Sequence, residues 1–86
     1  MTKLYLSVLA EFTQEGHILP RVILWPDGRR FPVERILSIR RAASMKAGGP
    51  GVRYVCRISG QERTLFLEER VRWFVHPHSE GPEQNA

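Results

Sequence analysis

This sequence is poor in the residue clusters that carry chemistry. It has one cysteine, Cys56, so no internal disulfide can form, and a lone thiol suits a reducing compartment. No apolar run approaches the ~18 residues of a membrane span. The first dozen residues lack the charged region, long apolar core and small-residue cleavage site of a secretion signal. The phosphate-binding patterns GxxxxGK[ST] and GxGxxG are missing, as is the GxSxG of a nucleophilic serine. His17, His76 and His78 have no acidic cluster beside them, which makes a weak metal set. Cys56 falls in an inward strand phase, where a small buried thiol is commoner than a nucleophile. These absences predict a non-enzymatic cytoplasmic protein with no catalytic residues, cofactor, metal, membrane association or small-molecule substrate.

What is present is the composition of a small folded domain. Hydrophobic residues make up 42% and charged residues 26% of the 86, near globular averages and away from those of disordered chains. The positive charge is concentrated. Residues 21–57 hold nine Lys/Arg against Asp27 and Glu34 alone, which raises the odds of an anionic partner.

Hydrophobic spacing predicts strands almost throughout. In KLYLSVLAEFT, Leu4, Leu6, Val8, Ala10 and Phe12 share one face. After TQEGH, the run HILPRVILW leads through Asp27-Gly28, a strong hairpin signal. A two-residue turn there sets Leu24 opposite Phe31, Val22 opposite Val33, Trp25 opposite Arg30 and Arg21 opposite Glu34. Residues 32–49 fit a helix with Pro32 first and Gly48-Gly49 last, but strand spacing through Phe31, Val33, Leu37 and Ile39 is favoured. The expectation is a long strand ending near Arg41, bulged near Arg35, with a short helical turn at 42–47. VRYVCRIS and QERTLFLEE pair about Ser59-Gly60, so that Tyr54 meets Leu65, Cys56 meets Arg63 and Arg57 meets Glu62. A last strand puts Val71, Trp73 and Val75 inward.

Six short strands joined by tight turns predict one all-β domain over residues 1–77, an antiparallel meander closing into a small barrel. Residues 78–86 have no large apolar residue and are expected to be a flexible tail.

Two surfaces carry the functional expectations. SMKAGGPG reads first as an inter-strand loop, but Arg40, Arg41, Lys46 and Arg53 flank or enter it, with Tyr54 following and Phe66 across the predicted hairpin. Cations interleaved with rings are what barrels that bind single-stranded nucleic acid use. Ile23, Trp25, Phe66 and Phe74 form the second set, in the outward phase, where a cluster of apolar residues marks a protein partner or a homodimer. The first expectation is therefore a non-catalytic protein-interaction or self-associating module. Its alternative is a nucleic-acid-binding barrel using the 40–53 region.

The order WPDGRRF…RRAASMKAGGPGVRYVCRI…LFLE…WFV resembles a family of small bacterial proteins of about this length. They carry a W-x-D-G-R hairpin, a Gly-rich loop before an R-Y strand, and a terminal W-F strand. The resemblance covers about residues 18–76 and rests on turns and core aromatics. It implies a compact β-barrel in a bacterial cytoplasm and carries over no activity or site. In architecture alone the chain also resembles SH3-like and Sm-like barrels, which bind peptides, nucleic acids or one another.

Overall fold

A computed structural model describes residues 3–43 and 50–76, with backbone alone for Ala42, Ala43 and Pro50. Apolar and polar residues alternate along most segments, and only an extended chain puts every second side chain on one face. The described residues accordingly form seven strands: β1 (Leu4–Phe12), β2 (Ile18–Leu24), β3 (Arg30–Pro32), β4 (Arg35–Ala43), β5 (Pro50–Ile58), β6 (Gln61–Glu68) and β7 (Arg72–Val75). All neighbours are antiparallel, in the order β3-β2-β1-β7-β6-β5-β4.

That order forces curvature. β3 and β4 are the two ends of the sheet, yet only Val33 and Glu34 separate them in sequence. The sheet must therefore curl until its ends meet at this corner. Val33 N–H donates to the Arg21 carbonyl of β2 at 2.8 Å, and Glu34 N–H donates to the Arg57 carbonyl of β5 at 2.9 Å. The result is an all-β curled half-barrel. Its concave side buries Ile23, Tyr54, Cys56, Leu65, Leu67 and Trp73.

The β5–β6 hairpin has the expected register, with Tyr54 on Leu65, Cys56 on Arg63 and Arg57 on Glu62. Ser59 and Gly60 have φ of 53° and 76°, the pair of positive values that a type I′ turn needs to match strand twist. The side-chain partner of Arg57 is the Gly60 carbonyl, at 3.2 Å.

Elsewhere local signals were overridden. The long third strand is two strands, broken at the Val33–Glu34 corner, and its bulge lies at Leu37, between the Ile36–Cys56 and Ser38–Val55 pairs, not at Arg35. The Asp27-Gly28 hairpin closes on Trp25 and Arg29 around a three-residue loop, with Gly28 N–H donating to the Trp25 carbonyl and Gly28 at φ 96°. The register therefore slips by one, to Ile23 on Phe31 and Leu24 on Arg30. A bulge at Arg21 adds a second change of phase: Ala10 pairs with Pro20 but Leu9 with Val22. Inward residues on β2 are consequently Ile18 and Pro20 before it and Ile23 after it. Ile23 is core rather than outward, Trp25 packs edge-on to Phe31 at 6.2 Å, and Arg21 bonds Glu11 instead of Glu34.

Three further expectations change at strand ends. Phe12 is exposed because β1 runs past the core. Val71 is exposed because Glu69 and Arg70, both at positive φ, turn the chain before β7 begins. β4 continues as strand through Ala42 and Ala43, so no helical turn starts there; residues 44–47 and the tail 78–86 lie outside the described residues.

Candidate functional site

Directly opposed residues on neighbouring strands share a face. Following one row across the convex side, Arg40 of β4 opposes Arg53 of β5, Arg53 opposes Phe66 of β6, Phe66 opposes Phe74 of β7, and Phe74 opposes Tyr5 of β1. Five strands thus align two arginines and three rings in one outward line. At ~4.8 Å per strand the row spans roughly 19 Å.

The aromatic half is tightly organised. Phe66 and Phe74 stack at 5.0 Å with 9° between their planes, and Tyr5 meets Phe74 edge-on at 5.7 Å. His76 touches both phenylalanines, at 5.1 and 5.4 Å. Lys3 Nζ lies 4.6 Å from the Phe74 ring centre, and the Arg72 guanidinium 5.4 Å from that of Tyr5. Phe74 is therefore only 3% exposed although it is on the outer face, while Tyr5 remains 44% exposed. Phe66 and His76 are half-buried.

Glu68 braces this cluster. Its carboxylate accepts a hydrogen bond from the Tyr5 hydroxyl at 2.7 Å and pairs with Lys3 Nζ at 3.3 Å. These contacts, the Tyr5 hydroxyl foremost, hold the Glu68 carboxyl below its ordinary value of 4.5 despite burial. A depressed carboxyl contributes stability that is present above the unfolded value and lost as pH falls through the folded one. Glu68→Gln should melt below the parent at neutral pH, and the gap should close as pH falls below about 4.5. Parallel melting series, with an equal gap at every pH, would show that the charge of Glu68 does no such bracing.

The arginine half is strained electrostatically. Arg40 and Arg53 are exposed and directly opposed, and so are Arg35 and Arg57 farther along the same face of the same hairpin. Like charges placed opposite each other destabilise a sheet. Among the described residues, no carboxylate pairs with Arg35, Arg40 or Arg53.

The structure divides the residues singled out in the sequence. Arg40, Arg53, Phe66 and Phe74 come together. Arg41 opposes Val52 and points to the other face, and Lys46 lies outside the described residues. Tyr54 is not a surface ring: it is buried beside Trp73, with ring centres 5.2 Å apart, and donates its hydroxyl to the Ile18 carbonyl. Burial raises its pKa and pushes the Cys56 thiol from 9.0 up to about 11. Ile23 and Trp25 lie on the concave side, so the four apolar residues do not form one patch. Tyr5, in the outward phase of the first strand, joins Phe66 and Phe74 as alternation allows. Lys3, Glu68, Arg72 and His76 join the site although the sequence did not gather them. Glu68 reads as a solvated turn residue but is buried at the end of β6, and the adjacency of β1 and β7 was not legible.

No group of His, Cys, Asp and Glu among the described residues can hold a metal ion, and no helix among them is long and apolar enough to cross a membrane. Comparison with known proteins finds no matching family model, no matching curated protein and no matching solved structure.

Proposed function

We propose that this protein binds single-stranded nucleic acid on the convex face of its sheet. Arg40 and Arg53 take backbone phosphates, while bases stack on Tyr5, Phe66 and His76 over the buried Phe74. The observation that carries this reading is the unbroken row Arg40–Arg53–Phe66–Phe74–Tyr5. An anion set between two opposed guanidiniums replaces their repulsion with charge-assisted hydrogen bonds. Rings stack only on bases whose faces are free, which selects single strands over duplex. Arg35, opposite Arg57 farther along the same face, extends the positive charge beside the arginine end of the row.

Fluorescence anisotropy with labelled single- and double-stranded oligonucleotides across a salt series tests the proposal. Single strands should bind more tightly than duplexes. Their affinity should fall with log salt at roughly −0.7 per phosphate neutralised, so two to four contacts give a slope of about −1.4 to −3. Equal affinity for duplex and single strand would remove the stacking half of the proposal. No binding at near-physiological salt would remove all of it.

A further inference from the structure

The β4–β5 hairpin opposes arginines twice on one face. Arg35 faces Arg57 just as Arg40 faces Arg53, and all four are exposed. Among the described residues no ion pair forms at Arg35 or Arg57. Arg57 donates to the Gly60 carbonyl at 3.2 Å, and Glu62 opposes it from β6. Like charges set opposite each other cost a sheet stability, and this hairpin carries two such pairs. Between them lie Ser38 and Val55, opposed, half-buried and uncharged. Arg53 and Arg57 are four residues apart on β5, which pairs with β6 without a break in register. At ~3.4 Å per residue the two arginine pairs therefore stand roughly 13–14 Å apart. A single strand unstacked to lay its bases on rings extends to roughly twice the 3.4 Å per nucleotide of a duplex strand. Two nucleotide steps cover the gap.

We infer that the single strand reaches the aromatic row along the β4–β5 hairpin. One phosphate sits at Arg35 and Arg57, and the second phosphate after it sits at Arg40 and Arg53. This path rests on the single-strand reading above and adds to it a second backbone contact and the line that the backbone follows. At each pair a phosphate replaces guanidinium repulsion with charge-assisted hydrogen bonds. The phosphate between them passes over Ser38 and Val55, which carry no charge to hold it. Glu62, beside Arg57, offsets part of the positive charge, so the second pair grips more weakly than the first. A strand of four nucleotides without terminal phosphates has three linkages, and its first and third reach both pairs. No shorter strand spans them.

Anisotropy with labelled oligothymidylates of two to ten nucleotides, lacking terminal phosphates, tests the path by comparing the parent with Arg35→Gln/Arg57→Gln. With two or three nucleotides both proteins should bind alike, because the strand then sits on Arg40, Arg53 and the rings alone. From four nucleotides upward the parent should bind about tenfold tighter, with the steeper salt slope. Arg35→Gln alone keeps the Arg57–Gly60 bond and should lose about threefold. Glu62→Gln should tighten the longer strands and leave the shorter ones unchanged. Equal affinity of the parent and Arg35→Gln/Arg57→Gln at every length, with Arg40→Gln/Arg53→Gln still abolishing binding, would overturn the path and leave the single-strand reading standing. A loss of the same size at two nucleotides would also overturn it, since the second pair would then act only through the general field of the protein. A parent that binds no single strand overturns both.

Discussion

Replacing both Arg40 and Arg53 with glutamine should abolish tight binding of single strands while leaving the fold as stable as before, or slightly more so. Each guanidinium–phosphate contact is a charge-assisted hydrogen bond worth about 1.5–3 kcal/mol. Losing two weakens binding by ~100-fold or more. The salt slope should shrink by about 1.4, because two phosphates are no longer neutralised. Stability moves the other way. The two arginines oppose each other across β4 and β5 with no described carboxylate between them, so removing the charges relieves a repulsion of a few tenths of a kcal/mol. Urea denaturation of the double variant reports the fold, and anisotropy reports the site. Weaker binding with intact stability assigns the residues to the ligand. Unchanged affinity and slope would return both arginines to the solvated surface.

The largest loss of stability should come from Trp73→Ala. Trp73 is buried, opposes Leu6 on β1 and Leu67 on β6, and packs at 5.2 Å against Tyr54. It thus ties the β1–β7 seam to the β5–β6 hairpin. Truncating a buried tryptophan costs about 3–5 kcal/mol, against a total stability of roughly 4–13 kcal/mol for a chain of this size. The variant should lose most of its cooperative urea transition, whereas Trp25→Ala, at a half-buried position beside Phe31, should keep it. A Trp73→Ala midpoint close to that of the parent would mean that the concave core does not hold the sheet together.

How much of this was legible depended on whether a signal was local. Ser59-Gly60 allows one tight turn, so the whole β5–β6 register followed from it. Asp27-Gly28 serves both two- and three-residue loops, and choosing the shorter displaced β3 by one residue. The bulge at Arg21 leaves alternation intact on each side, so the phase change that carries Ile23 into the core leaves no trace in the pattern. The outward phase of Arg40, Arg53 and Phe66 was readable from alternation, and so was the inward phase of Tyr54, which removes that ring from the surface. The insertion of β7 between β1 and β6 was not readable. It pairs residues more than sixty positions apart, such as Tyr5 and Phe74, and no turn or spacing encodes it.

The most direct test of the central claim is a titration of the isotopically labelled protein with a short single-stranded oligonucleotide, followed by two-dimensional amide NMR at near-physiological salt. The account predicts shifts concentrated on Tyr5, Arg40, Arg53, Phe66 and His76, with little change at Ile23, Trp25 or Phe31 on the concave side. Perturbation confined to the β2–β3 hairpin, or none at any concentration reached, would contradict it.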